Sequence, residues 1–151
     1  MHGLKESDIA VIAPYVRQVD LIRQSLPDAI RLCAATVDSY QGCEREVVIL
    51  SLTRSNDLQK VGFLADERRL NVAATRAKRQ LLIIGDSSTL QSDTVLSSIV
   101  TYARDNGRLI QLNDLLVLSD LNIRQPVERA IITRGRRATF DYSKRRSLRV
   151  W

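Results

Sequence analysis

The feature that most constrains the fold is a set of short, uninterrupted apolar runs: "IAVIA" (9–13), "EVVILSL" (46–52) and "QLLIIG" (80–85). A strand wetted on one side alternates apolar with polar residues; these runs do not alternate, so both of their faces must be covered. Between them the apolar residues fall at helical spacing. Pro14 suits a first helical turn, and Val16, Val19, Ile22 and Leu26 continue the pattern until Pro27 forbids it. "AIRLCAATV" (29–37) resumes an extended pattern, and "ADERRLNVAATRAKR" (65–79) is built of helix formers, with Leu70, Ala73, Ala74 and Ala77 as its inward stripe. Val95, Leu96, Ile99, Val100 and Ala103 mark a further helix, capped by Asp93 or Ser92 and stopped at Asn106-Gly107. "RLIQL" (108–112) reads as a last strand. Strands alternating with helices predict an α/β fold, a parallel sheet flanked by helices in three layers.

In such sheets ligands gather outside the carboxyl ends of the strands. "PY" (14–15), "DSYQG" (38–42), "TRSN" (53–56) and "GDSS" (85–88) follow predicted strands and are all expected at that rim. "QGCE" (41–44) supplies an amide, a glycine permitting close backbone approach and a carboxylate, which suits a polyol or a metal-bound phosphate; an ordinary glycine turn is the plainer account. On a helix over 66–79, Arg69 and Arg76 would lie within about 20° of each other, with Arg68, Lys78 and Arg79 nearby. Guanidinium groups on a well-seated helix are preorganised for phosphate, although a cationic helix face is as often merely solvated.

Composition removes several classes of function. The 151 residues fit one domain, without an apolar run long enough to span a bilayer or a signal peptide, and the chain is expected to be soluble and intracellular, in cytoplasm or nucleus, with no membrane partner. Cys33 and Cys43 form no metal-binding spacing, so no metal ligands are assigned and idle thiols in a reducing compartment are expected. His2 is the only histidine and sits at the chain start, which excludes a serine or cysteine triad. Residues 1–121 hold 14 Lys/Arg against 15 Asp/Glu, whereas residues 122–151 hold 9 against 2, so the net charge of +6 belongs to the tail. Such a run can neutralise phosphates or remain solvated and disordered.

"TVDSYQGCEREVVILSLTRSN" (36–56) followed by "VGFLADERRLNVAATRAKRQLLIIGD" (61–86) resembles motifs V and VI of superfamily one nucleic-acid helicases, in the group of the nonsense-decay helicase, senataxin and the immunoglobulin-mu-binding helicase. "IAVIAPYVRQ" (9–18) resembles the segment ahead of motif V, and the likeness runs from about residue 8 to about residue 112. The resemblance implies a RecA-like, P-loop NTPase-type second motor domain over 1–121, with 122–151 as a basic tail. ATP with Mg²⁺ would lie between it and a first RecA-like domain, in cis or trans, while single-stranded DNA or RNA crosses another face. Carried over by position, Arg76 matches the catalytic arginine finger. Gln41, Gly42 and Glu44 match the nucleotide-facing part of motif V, Glu44 for ribose or metal-linked contacts. Thr36, Asp38 and Ser39 match its nucleic-acid side, and Pro14 with Tyr15 a loop near the strand.

The pattern is incomplete. No G-x-x-x-x-G-K-[ST] occurs, and "ADER" (65–68) opens a helix, so Asp66 is expected to cap that helix and not to bind magnesium. The resemblance therefore implies a half motor, inactive alone, lacking also the family's preceding strand and leaving a sheet edge uncovered. Beyond residue 112, Phe140, Tyr142 and Trp151 are available to stack on bases. The alternatives are a nucleic-acid or protein binding module without turnover, or a gene fragment without function. DNA is not distinguished from RNA, and 5′ to 3′ movement is a family expectation only.

Overall fold

The computed structural model describes residues 3–26, 33–106, 109–111 and 131–133. The apolar runs become parallel strands. β1 (Ile9–Ala13) lies between β2 (Ala34–Thr36) and β3 (Arg45–Ser51), and β3 pairs onward with β4 (Ala77–Gly85). β5 (Leu109–Gln111) and β6 (Ile131–Thr133) complete the order β2-β1-β3-β4-β6-β5, with every neighbouring pair parallel. Ile12 is level with Ala35 on one side and Leu50 on the other, and Leu50 is level with Ile83, so the strand centres form one apolar band.

Side chains of β1 go alternately to two cores. Val11 and Ala13 pack with Ala34, Ile49 and the inward side of α1 (Val16–Ser25), chiefly Val19 and Ile22. Ala10 and Ile12 pack on the opposite face with Val48, Leu50, Leu70 and Ala73 of α2 (Glu67–Thr75), and Leu96, Val100 and Ala103 of α4 (Thr94–Asn106). A short α3 (Ser87–Leu90) joins β4 to α4. Helices on both faces explain the uninterrupted apolar runs, and the result is the RecA-like, three-layer α/β arrangement read from the sequence.

Several expected boundaries change. The helix predicted over 66–79 ends at Thr75, and β4 begins at Ala77 instead of Gln80. The Thr75 hydroxyl donates to the carbonyls of Asn71 and Val72 at 2.8 and 3.1 Å, Arg76 Nε donates to Val72 at 3.0 Å, and these carbonyls are thereby satisfied without another helical turn. Lys78 and Arg79 therefore ride on a strand, where Arg79 pairs with Glu46 of β3. Arg76 is the C-cap of α2, still with helical backbone angles, so the expected cationic face loses Lys78 and Arg79 to the strand. Pro14 precedes the helix, with Tyr15 at its N-cap, and Val16 points outward. Asp66 accepts from the N–H groups of Arg68 and Arg69 as the expected cap, and Asp93, not Ser92, caps α4 by accepting from Val95 and Leu96 at 3.0 Å. β6 is an addition, arising within the segment read as a basic tail; Phe140, Tyr142 and Trp151 lie outside the described residues.

Leu96 is 1% exposed beneath α4, whereas Leu58 is 74% exposed in the β3–α2 connection. Leu96→Ala should lower the unfolding free energy by about 2–5 kcal/mol through lost burial and a residual cavity. Leu58→Ala should change it by less than about 0.5 kcal/mol. Urea midpoints at constant slope measure both.

Candidate nucleotide and nucleic-acid interface

The polar residues of "DSYQGCE" do not share one rim. Asp38 and Ser39 follow the carboxyl end of β2, but the chain then runs to the opposite end of the sheet before β3 begins at Arg45. There the Arg45 N–H donates to the carbonyl of Arg76 at 3.0 Å, and Arg45 is level with Ala77, the first residue of β4. The return thus brings Glu44, the neighbour of Arg45, to the Arg76 end of β3 and β4, with Gln41 and Gly42 on the path that leads there. Thr36, Asp38, Ser39, Pro14 and Tyr15 collect at the carboxyl ends of β1 and β2. The expectation that all of "DSYQG" lies at the carboxyl rim is corrected: a parallel β2-to-β3 connection must return the chain to the start of the next strand, and the eight residues 37–44 are that return.

The return loop is held in the middle. Asp38–Tyr40 form a 3-10 turn, and Tyr40 inserts its ring into the core at 7% exposure. Its hydroxyl is buried without a hydrogen-bond partner, as is Arg45 Nε, and the Arg45 guanidinium lies 6.0 Å from the ring centroid. Burial pushes the Tyr40 phenol above its ordinary value; Arg45 opposes this, and Cys43 and Cys33 add to it. At the loop's start Thr36 and Ser39 clasp each other: the Thr36 N–H donates to Ser39 Oγ at 3.0 Å, the Ser39 N–H to Thr36 Oγ1 at 3.2 Å, and the two hydroxyls meet at 2.8 Å.

At the amino rim, Gln41 and Glu44 are exposed and Gly42 has φ +86°, which a glycine adopts without penalty. Open space surrounds the position where its Cβ would be. Arg76 is half-buried, its guanidinium folded along its own helix to Val72 O and Thr75 Oγ1, and no carboxylate pairs with it among the described residues. An amide, an open turn, a carboxylate and an unpaired guanidinium along one rim can meet a polyphosphate and a ribose. Among the described residues, no three Cys, His, Asp or Glu side chains converge into a metal cage.

The carboxyl rim also holds Arg69, Phe63 and Arg54, to which the sequence assigns no strand contact. Arg69 on α2 is paired with Asp38 at 3.0 Å and Asp66 at 3.6 Å and stacks 3.9 Å above the Phe63 ring, so it is committed within the fold. Phe63, 44% exposed, lies 6.0 Å from Tyr15, ring to ring. The Tyr15 hydroxyl accepts from Arg54 Nε at 2.9 Å and from the Phe63 N–H at 3.2 Å. A glycine ahead of an aromatic in "VGF" and the arginine of "TRSN" were the available signals. The connection from β3 to α2 is tied down by side chains: Asn56 exchanges bonds with Thr89 and with Lys60, and Ser55 reaches Asp86 at 2.7 Å. Thr53 adopts φ +62° with Arg54 N–H returning to Leu52 O, a γ-turn costing on the order of 1–3 kcal/mol for a β-branched residue.

The AAA domain family matches residues 1–88. The DNA-binding protein SMUBP-2 of Rattus norvegicus is 48% identical over 108 residues, 71% of this chain and 11% of that protein. The DNA polymerase alpha-associated DNA helicase A of Schizosaccharomyces pombe is 56% identical over 90 residues, 59% of this chain and 14% of its own length. The ATP-dependent helicase NAM7 of Saccharomyces cerevisiae is 38% identical over 117 residues, 72% of this chain and 12% of its own length. The chain belongs to the AAA domain family, in its superfamily one helicase group. It spans about a tenth of the length of these curated relatives.

Two solution tests follow. The Tyr40 hydroxyl forfeits its hydration without a replacement bond, so Tyr40→Phe should leave stability unchanged or raise it by about 1 kcal/mol, measured by denaturant titration. At Asp86, burial alone would raise the carboxyl, but hydrogen bonds from Ser88, Ser55 and Thr89 outweigh it and hold the pKa below the ordinary 3.8. Because the folded value is depressed, its contribution is present above the ordinary pKa and is lost as pH falls through the folded one. Melting temperature should therefore drop more steeply below about pH 4 in the native chain than in Asp86→Asn.

Proposed function

We propose that this chain is the second RecA-like lobe of an ATP-dependent nucleic-acid helicase or translocase. In this reading Arg76 is the arginine finger, Gln41, Gly42 and Glu44 face the nucleotide, and Pro14, Tyr15, Thr36 and Ser39 face the single strand, DNA or RNA. The observation that supports it is the eight-residue return from β2 to β3, residues 37–44, which starts after Thr36, level with Ala13 of β1, and ends at Arg45, whose N–H meets the Arg76 carbonyl. A lobe whose two rims are joined by one pinned loop is suited to coupling a nucleotide to a strand.

Arg76 supplies charge stabilisation for a transferring phosphoryl group once its side chain is drawn from Val72 and Thr75 toward a triphosphate. Both bonds lie on the chain's own helix, so the group can be redirected without breaking an ion pair. Glu44 and Gln41 fit the ribose and outer contacts of ATP, whose Mg²⁺ would be held largely by the phosphates and the first RecA-like lobe. Asp38, paired to Arg69, is better suited to tying motif V to α2 than to touching a phosphate, which it would repel. This reading expects an intracellular protein of cytoplasm or nucleus; no helix among the described residues is long and apolar enough to cross a membrane.

The test is nucleic-acid-stimulated hydrolysis of ATP. The chain by itself should show background turnover. Joined to a first RecA-like lobe that supplies the phosphate loop, it should support hydrolysis that Arg76→Ala lowers by roughly 10³ to 10⁵, and Arg76→Lys should not restore it. Robust turnover by the isolated chain, indifferent to Arg76, would leave the binding-module reading in its place.

A further inference from the structure

Three local devices converge on one guanidinium at the rim that carries Tyr15 and Ser39. Leu52 is buried just after β3, and the left-handed turn at Thr53, φ +62°, redirects the chain ahead of Arg54, whose side chain reaches Tyr15. The Tyr15 hydroxyl takes Arg54 Nε at 2.9 Å, and the guanidinium carbon lies 5.0 Å from the Tyr15 ring centroid. Gly62 has φ +57°, and a Cβ there would stand 2.9 Å from a terminal nitrogen of Arg54 and 3.3 Å from the Tyr15 hydroxyl. Only a glycine leaves the guanidinium its place.

This half-buried cation has no carboxylate partner among the described residues. Its surroundings differ from those of Arg69, which is neutralised by Asp38 and Asp66, and of Arg79, which is neutralised by Glu46. The carboxylate at the neighbouring strand end, Asp86, is taken up by Ser55, Ser88 and Thr89. A guanidinium oriented through Nε and left without a counter-charge is a preformed anion site, because an arriving oxyanion is bound by a fork that is already aimed. We propose that Arg54 binds a backbone phosphate of the single strand, positioned by Tyr15 and Gly62. The assignment rests on the reading of this rim as the nucleic-acid side. A free phosphate offers the same oxygens; the strand is favoured because the Thr36 and Ser39 hydroxyls and the exposed Phe63 ring lie on the same rim.

The test is the salt dependence of binding of a fluorescent single-stranded oligonucleotide to the whole chain, between about 50 and 200 mM salt. One lost phosphate contact should flatten the log–log slope by about 0.7 in Arg54→Gln and weaken binding about fivefold near 0.1 M salt, equally for homopolymer and mixed sequence. Arg54→Lys should restore the slope. On the unaltered chain, where folding of a variant is not at issue, the Arg54 Nε–H resonance should shift with the oligonucleotide but not with its uncharged methylphosphonate analogue. An unchanged slope in Arg54→Gln with an unmoved resonance overturns the assignment while leaving strand binding intact. An equal shift with inorganic phosphate alone, at matched phosphate concentration, replaces the strand with a free anion. If the unaltered chain binds no single strand, the reading of the rim fails and this assignment goes with it.

Discussion

The arrangement depends on the hydrogen bond from the Arg45 N–H to the Arg76 carbonyl, 3.0 Å long, which starts the pairing of β3 with β4. It joins two segments 31 positions apart in the numbering at one end of the sheet. Without it, the residues after Gly42 and the residue ending α2 would belong to separate loops. The bond is a backbone ladder bond at the edge of a well-buried sheet, protected by Ala77 at 0% exposure, so its geometry is set by the core and not by the polar side chains around it. The polar side chains can therefore vary in orientation while their anchor points stay fixed.

The two rims are stabilised by different means. At the amino rim the side chains of Gln41 and Glu44 are exposed and the glycine is open, whereas the loop is pinned one residue earlier by Tyr40 in the core. At the carboxyl rim nearly every polar group is already engaged: the Thr36–Ser39 clasp, the Asp38–Arg69–Asp66 cluster, the Tyr15 hydroxyl shared by Arg54 and Phe63, and Asp86 under three side-chain hydroxyls. A rim ordered in advance suits a ligand gripped repeatedly, since little ordering entropy remains to be lost on binding. An open rim suits groups that must reach across to a second body.

The layers and strands were legible because their cause is local and redundant. Alternate residues of "IAVIA" face two different cores, and nothing but a doubly covered strand accommodates that pattern. The end of α2 was not legible from propensity, since "ATRAKR" is good helix sequence; what stops it is tertiary, namely the claim of β3 on the Arg76 carbonyl, with Thr75 satisfying the last helical carbonyls. The same cause split the polar cluster between rims, because a motif read as one string gave no sign of the return between strands. Arg54 was legible only as part of "TRSN" at the rim, and Gly62 and Phe63 not at all, for a related reason: their meaning lies in contacts with Tyr15, which is 39 positions before Arg54.

In the proposed reading of a helicase lobe, energy magnitudes indicate where coupling between the rims would reside. The Asp38–Arg69 pair is substantially exposed, and pairs of that kind contribute roughly 0–1 kcal/mol, too little to drive a change in strand grip on its own. Tyr40 is different: burying an aromatic ring of this size is worth several times as much, and its removal from the core would cost the whole of that burial. The middle of the loop is thus its most firmly held point and, in that reading, a fixed pivot, with the Thr36–Ser39 turn on one side and Gln41 to Glu44 on the other. A displacement imposed at Gly42 by a nucleotide would be transmitted as rotation about Tyr40 sooner than as melting of the loop, and the weak ion pair between Asp38 and Arg69 is the contact that such a rotation could exchange at small cost.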